Sequence, residues 1–152
     1  SKDKQEKVKY LYENHSICKS KNYILTDKIT ASLIKYSINS FLASKVIFFN
    51  ELRDLFNSSG AEEDWDIFTN VLAMDKRIGN SHMNVPGHDG RLGFGGACFT
   101  KDTAALIKYS QSQEQELTLL KRAIEINNNI RSKYDQIDQR EKDQNVNYEF
   151  DD

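Results

Sequence analysis

Apolar residues return every three or four positions from Asp27 to about Asn57: Ile29, Leu33, Tyr36, Phe41, Leu42, Val46, Phe49, Leu52 and Phe56. That step lines them along one face of a 3.6-residue turn, so the pattern predicts one long helix over 27–57. Between Ala43 and Phe49 the chain becomes apolar almost all round, as in a helix covered on several sides. Ser58-Ser59-Gly60 ends it, and Trp65, Ile67, Phe68, Val71 and Leu72 predict a second helix over Ala61–Met74. A third is expected from Thr103 to about Asp135, carried by Leu106, Ile107, Leu117, Leu120, Ile124, Ile126 and Ile130. Near the start, Val8, Leu11 and Tyr12 give residues 4–14 a weak apolar face and a short helix, and Asn22-Tyr23-Ile24-Leu25 reads as a short strand. After Tyr134 the periodicity stops, leaving 136–152 as a polar tail, mobile or docked on a partner.

Helix breakers sharpen this picture. The single proline, Pro86, and five of the seven glycines (Gly87, Gly90, Gly93, Gly95, Gly96) fall between residues 86 and 96. The chain is therefore read as mainly α, with a long central helix, packed helices and one concentrated irregular loop. Its 152 residues are enough for a domain with a hydrophobic core. A formal charge of −2, with acids and bases mixed along the sequence, argues against a nucleic-acid or anionic-membrane partner. No apolar run reaches the ~18 residues a membrane span needs. Cys18 and Cys98 belong to no metal-spaced pair, and two distant cysteines suggest a reducing compartment, so the cytoplasm is the expected location.

The candidate chemistry sits in Gly93-Phe94-Gly95-Gly96-Ala97-Cys98-Phe99-Thr100-Lys101-Asp102. Glycines allow close backbone approach to a ligand. A cysteine at the end of such a loop, just before a helix, meets unpaired N–H groups and the positive end of the helix dipole, a setting that suits a thiolate nucleophile and an oxyanion. Thr100 or Asp102 could cap the helix. The residues alone also allow a tight turn with a small buried cysteine, since free cysteine packs as a small hydrophobe. His82, His88 and Asp89 find no third ligand at a metal-binding spacing and are read as loop residues, so no metal is expected.

The segment Gly93-Phe94-Gly95-Gly96-x-Cys98-x-x-Lys101-Asp102 resembles the signature of the UDP-glucose/GDP-mannose dehydrogenase family, the nucleotide-sugar 6-dehydrogenases. Two further segments match in order. Lys35-Tyr36-x-x-Asn39-x-x-x-Ala43-x-Lys45-x-x-x-x-Asn50-Glu51 is similar to the family's long central helix, and Met74-Asp75-x-Arg77-Ile78-Gly79-Asn80 resembles its substrate loop. The resemblance covers roughly 22–130 and implies a dimerisation domain like the C-terminal one of 6-phosphogluconate dehydrogenase, preceded by the last helix and short strand of a Rossmann unit. On that basis 1–26 is the remnant of a dinucleotide-binding domain, 27–135 the central catalytic and dimerising domain, and 136–152 a tail.

The reaction so implied oxidises a sugar C6 alcohol to a carboxylate with two NAD. Cys98 is the implied nucleophile, Lys35 the acid or oxyanion-stabilising group, Asn39 its partner, and Asp102 the carboxylate that positions or activates water. Lys35 and Asn39 lie four apart, on one face of the long helix. Phe94 and Gly95 would line the sugar-nucleotide site, Lys101 would approach the cofactor, and Arg77 would reach substrate across a dimer interface. Without the resemblance, Arg77 reads equally as a helix-end cap and the Lys35/Asn39 pair as a solvated face. Arg77-Ile78-Gly79-Asn80 favours UDP-glucose over GDP-mannose, whereas the long Val85–Arg91 loop departs from common UDP-glucose members. No G-x-G-x-x-G follows a strand, so these 152 residues are expected to be truncated or to need a separate Rossmann-domain polypeptide for NAD, and to be inactive alone. The alternative is a non-catalytic helical dimerisation module. Both readings expect a homodimer, because the helix over 27–57 is more apolar than one small domain can cover.

Overall fold

The structure, a computed structural model, describes residues 2–17, 22–134 and 139–148. Among them there are helices and irregular segments and no strand. The helices are α1 (Lys2–His15), α2 (Lys28–Ser58), α3 (Trp65–Ala73), α4 (Ala97–Ser112), α5 (Thr118–Arg131) and α6 (Gln139–Asp143). By internal contacts the chain divides into two compact units, Ser1–Ile34 and Lys35–Asp152.

In the first unit, α1 buries no residue, and the Gln5 side chain donates to Thr26 O at 2.5 Å. The segment Asn22–Leu25, expected as a strand, is irregular. A strand is held by a ladder to a neighbour, and the described residues supply none. Asp27 caps the start of α2, accepting from the N–H groups of Ile29 and Thr30. Cys18 lies outside the described residues.

The second unit explains the apolar pattern. Along α2, Ala43 and Ile47 pack with Phe94 and Ala123, flanked by Val46, Phe99, Ile124, Ile126 and Ile130. Lower on the same helix, Phe49 joins Trp65, Met83 and Val85, with Leu52, Phe56, Phe68 and Leu72 around them. The helix ends at Ser58, and Gly60 takes φ 76, a left-handed turn that glycine adopts without steric cost. The next helix starts at Trp65 rather than Ala61, because Asp64 stays extended (ψ 144) while its carbonyl accepts the first helical bond, from Phe68.

The continuous helix expected over Thr103–Asp135 is two helices. The run Gln113-Glu114-Gln115-Glu116 offers no apolar group to hold a continued helix on the core. Glu114 turns to φ 55 and Gln115 N–H closes back on Ser110 O at 2.9 Å. The start of α4 also moves forward to Ala97, which places Cys98 inside the helix rather than in the loop before it. A second correction concerns the tail. Residues 139–148 do not hang free: Glu141 is 1 % exposed and Tyr148 8 %. Residues 135–138 and 149–152 lie outside the described part.

Candidate active site

Gly96 is the N-cap of α4, at φ 76 and ψ 156, so Cys98 lies in the first turn, where N–H groups have no partner within the helix. The thiol is exposed and unbridged, which sets aside the small buried cysteine that the sequence also allowed. Four residues on, and so on the same face of the helix, comes Asp102, 1 % exposed. A carboxylate that deep requires partners. Asn39 Nδ2 donates to its Oδ2 at 2.6 Å, Lys35 Nζ stands 3.4 Å from the same oxygen, and Lys101 Nζ reaches Oδ1 at 2.5 Å. Two residues one turn apart on α2 thus converge on one carboxylate of α4. Burial alone would raise the Asp102 pKa. The hydrogen bonds from Lys101, Asn39 and Lys35 outweigh it and hold the carboxyl below its ordinary 3.8. Lys101 is raised in return, chiefly by its bond to Asp102 and also by the neighbouring Cys98 sulfur.

The glycine loop ahead of Cys98 is held through its backbone. Gly93 N–H donates to Asn50 Oδ1 at 2.9 Å, Phe94 N–H to Asn127 Oδ1 at 2.7 Å, and Gly96 N–H to Glu141 Oε1 at 2.9 Å. Arg131 closes the set, donating to Gly93 O at 3.1 Å and pairing with Asp89 at 2.6 Å. Gly93 is required here: a Cβ would lie 2.6 Å from Asn127 Oδ1, at a φ of 73. Asn127, Arg131 and Glu141 were not singled out by sequence.

Phe94 is 3 % exposed and lines, with Gly95, Gly96, Phe99, His82 and Arg131, a cleft of about 560 Å³. Burial, then the nearby charges of Lys45 and His88, hold His82 below its ordinary pKa of 6.5, so its ring faces the cleft uncharged at neutral pH. Arg77 points elsewhere. It is 90 % exposed and chelates Asp75, whose Oδ1 also accepts the Arg77 N–H. Lys45 donates to Ile78 O and Gly79 O at 3.0 and 3.2 Å, pinning that turn to α2. Among the described residues, no group of three His, Cys, Asp or Glu side chains could hold a metal ion, and no helix is long and apolar enough to cross a membrane.

The central-domain pattern of the UDP-glucose/GDP-mannose dehydrogenase family matches residues 29–129. The chain belongs to this family. It is 38 % identical over 104 residues to the UDP-glucose 6-dehydrogenase YwqF of Bacillus subtilis (strain 168), covering 68 % of this chain and 22 % of that protein. A UDP-glucose 6-dehydrogenase of Rickettsia felis is 38 % identical over 106 residues, 69 % of this chain and 22 % of its own length. The TuaD enzyme of B. subtilis, also a UDP-glucose 6-dehydrogenase, is 35 % identical over 104 residues, 68 % of this chain and 21 % of its length. The chain thus spans about a fifth of the length of these relatives. The family match takes in Lys35, Asn39, Arg77, Cys98, Lys101 and Asp102, while Arg131, Glu141 and Tyr148 lie beyond it.

Proposed function

We propose that this chain carries the thiol half of a nucleotide-sugar 6-dehydrogenase acting on UDP-glucose. The observation that carries this reading is the convergence of Lys35, Asn39 and Lys101 on the buried Asp102, one helical turn beyond an exposed Cys98. The Cys98 sulfur adds to the C6 aldehyde of the half-oxidised sugar. One S–C bond forms, and the thiol proton ends on the former carbonyl oxygen, giving a thiohemiacetal. Lys35 and Asn39 supply donors for that oxygen. Asp102 acts here chiefly by holding Lys35 and Asn39 in place, since a carboxylate with a depressed pKa is a poor base near neutral pH. Phe94 and Gly95 border the sugar, and UDP-glucose is favoured because the relatives named above bear that name.

NAD would supply the hydride acceptor. The described residues do not fit it: they form no strand–turn–helix cradle, and the N–H groups of Gly93, Phe94 and Gly96 are taken by side chains. No hydride step is therefore assigned to them, and Lys101, bound to Asp102 and within electrostatic reach of Cys98, is proposed to act on the thiol side of the site. NAD is proposed to be held by a separate Rossmann polypeptide.

The proposed dimer rests on α2, where Ile38, Phe41, Phe48 and Leu55 remain 54, 66, 58 and 63 % exposed. Phe41, Phe48 and Leu55 recur every seven residues, the spacing of a seam against a second helix. A second copy of this chain would cover that seam and bring Arg77 to the partner's substrate. Phe48→Glu is expected to convert dimer to monomer in sedimentation equilibrium at micromolar concentration; an unchanged mass would contradict it. The substrate reading is tested by calorimetric titration with UDP-glucose. Saturable binding that weakens at least tenfold in Lys35→Met is expected. No heat beyond dilution would favour the non-catalytic dimerisation module.

A further inference from the structure

We infer that Glu141 is a positioning residue for Cys98, fixing the peptide plane that starts the cysteine's helix. The inference builds on the reading of Cys98 as nucleophile. Its physical basis is a buried carboxylate from the C-terminal segment placed on a backbone N–H, two residues ahead of the thiol. The Gly96 peptide nitrogen donates to Glu141 Oε1 at 2.9 Å, and the Gly96 carbonyl accepts from Thr100 Oγ1 at 2.5 Å. The N-cap residue is thereby held from both sides, once by α4 itself and once by α6.

Burying an ionised carboxylate is costly unless its oxygens are satisfied. Here the same Oε1 also accepts the Tyr148 hydroxyl at 2.5 Å, and Arg91 Nη1 stands 3.9 Å from Oε2. A turn closed by Val146 N–H on Glu141 O, at 2.9 Å, brings Tyr148 back under the carboxylate. Burial and the adjacent Glu141 raise the Tyr148 pKa well above its ordinary 10, so the phenol remains a donor across the physiological range. Arg131 flanks the pair: a Cβ on Gly95 would fall 2.6 Å from both Arg131 Nη2 and Glu141 Oε1. Gly95 therefore provides the gap through which the carboxylate reaches Gly96. A segment that merely covered apolar surface would have no need of a carboxylate aimed at one N–H.

The test uses amide hydrogen exchange by mass spectrometry on the full chain. In Glu141→Met, similar in length but without an acceptor, the peptide spanning residues 93–99 is expected to exchange at least tenfold faster. Glu141→Gln, whose amide oxygen can still accept from Gly96 and Tyr148, should restore exchange to within threefold of the parent. UDP-glucose affinity should follow the same order. Equal exchange over 93–99 in all three proteins would overturn the inference, as would a Gln variant no better than Met. Exchange needs no ligand, so it decides the role of Glu141 even if UDP-glucose proves not to bind. If Glu141→Met fails to fold, Glu141→Leu supplies the test, because it fills the same site with an apolar side chain that offers no acceptor to Gly96. Faster exchange confined to 93–99 supports the inference, and none overturns it.

Discussion

Trp65→Ala is expected to lower the stability of this chain by about 3–5 kcal/mol, the cost typical of emptying a buried aromatic site. Trp65 is 6 % exposed and meets Phe56 at 5.5 Å, Phe68 at 5.4 Å and Phe49 at 6.4 Å between ring centroids. The Arg53 guanidinium stacks 5.1 Å from its ring. It is the first residue of α3, and the same cluster holds Met83 and Val85 at the base of the loop leading to the glycine run. Truncation leaves a cavity that a helix anchored at its first residue cannot close. Urea denaturation should show the midpoint falling sharply with little change in slope. A loss below about 1 kcal/mol, the level of an ordinary surface change, would contradict this packing.

The second large effect is expected at Asp102. Asp102→Ala removes the acceptor shared by Asn39, Lys35 and Lys101, and should cost about 1.5–3 kcal/mol, the range for a hydrogen bond to a charged group. The two lysines are more than half exposed and can turn to water, so the ion pairs add little beyond the Asn39 bond. The pH dependence follows from the direction of the shift. Because the folded pKa lies below the ordinary 3.8, the folded form holds the carboxylate more strongly than the unfolded chain. The contribution is complete above the unfolded value, and is lost as pH falls below 3.8 through the folded pKa. Denaturation curves for parent and variant should therefore differ at pH 6, and the gap should narrow as pH is lowered below 3.8. A gap that persisted unchanged at low pH would mean that packing, not charge, accounts for Asp102.

Much of this was legible in sequence, for identifiable reasons. The long helix was, because Leu42, Val46, Phe49, Leu52 and Phe56 recur at three- and four-residue steps. The shared face of Lys35 and Asn39 could be anticipated from their four-residue spacing, whereas Asp102 joined them only through the family resemblance. Three features were not legible. The α4–α5 break carries neither glycine nor proline, and is made by a polar run in which Glu114 accepts a positive φ. Asn127 sits in Asn127-Asn128-Asn129, where nothing distinguishes the one that holds Phe94. Glu141 lies in a charged segment without periodicity, and nothing in Gln139-Arg140-Glu141-Lys142-Asp143 marks which of its two acids is buried. Asn50 carried a weak signal, as a polar residue among Val46, Ile47 and Phe49, and its bond to Gly93 accounts for it.

Cys98 and the Asp102 cluster are proposed to form one substrate-responsive unit. Its most direct test is the rate of iodoacetamide labelling of Cys98, followed by peptide mass spectrometry, with and without saturating UDP-glucose. At least tenfold protection in the parent chain, lost in Asp102→Ala, is the predicted result. Equal labelling rates with and without UDP-glucose in the parent would contradict it.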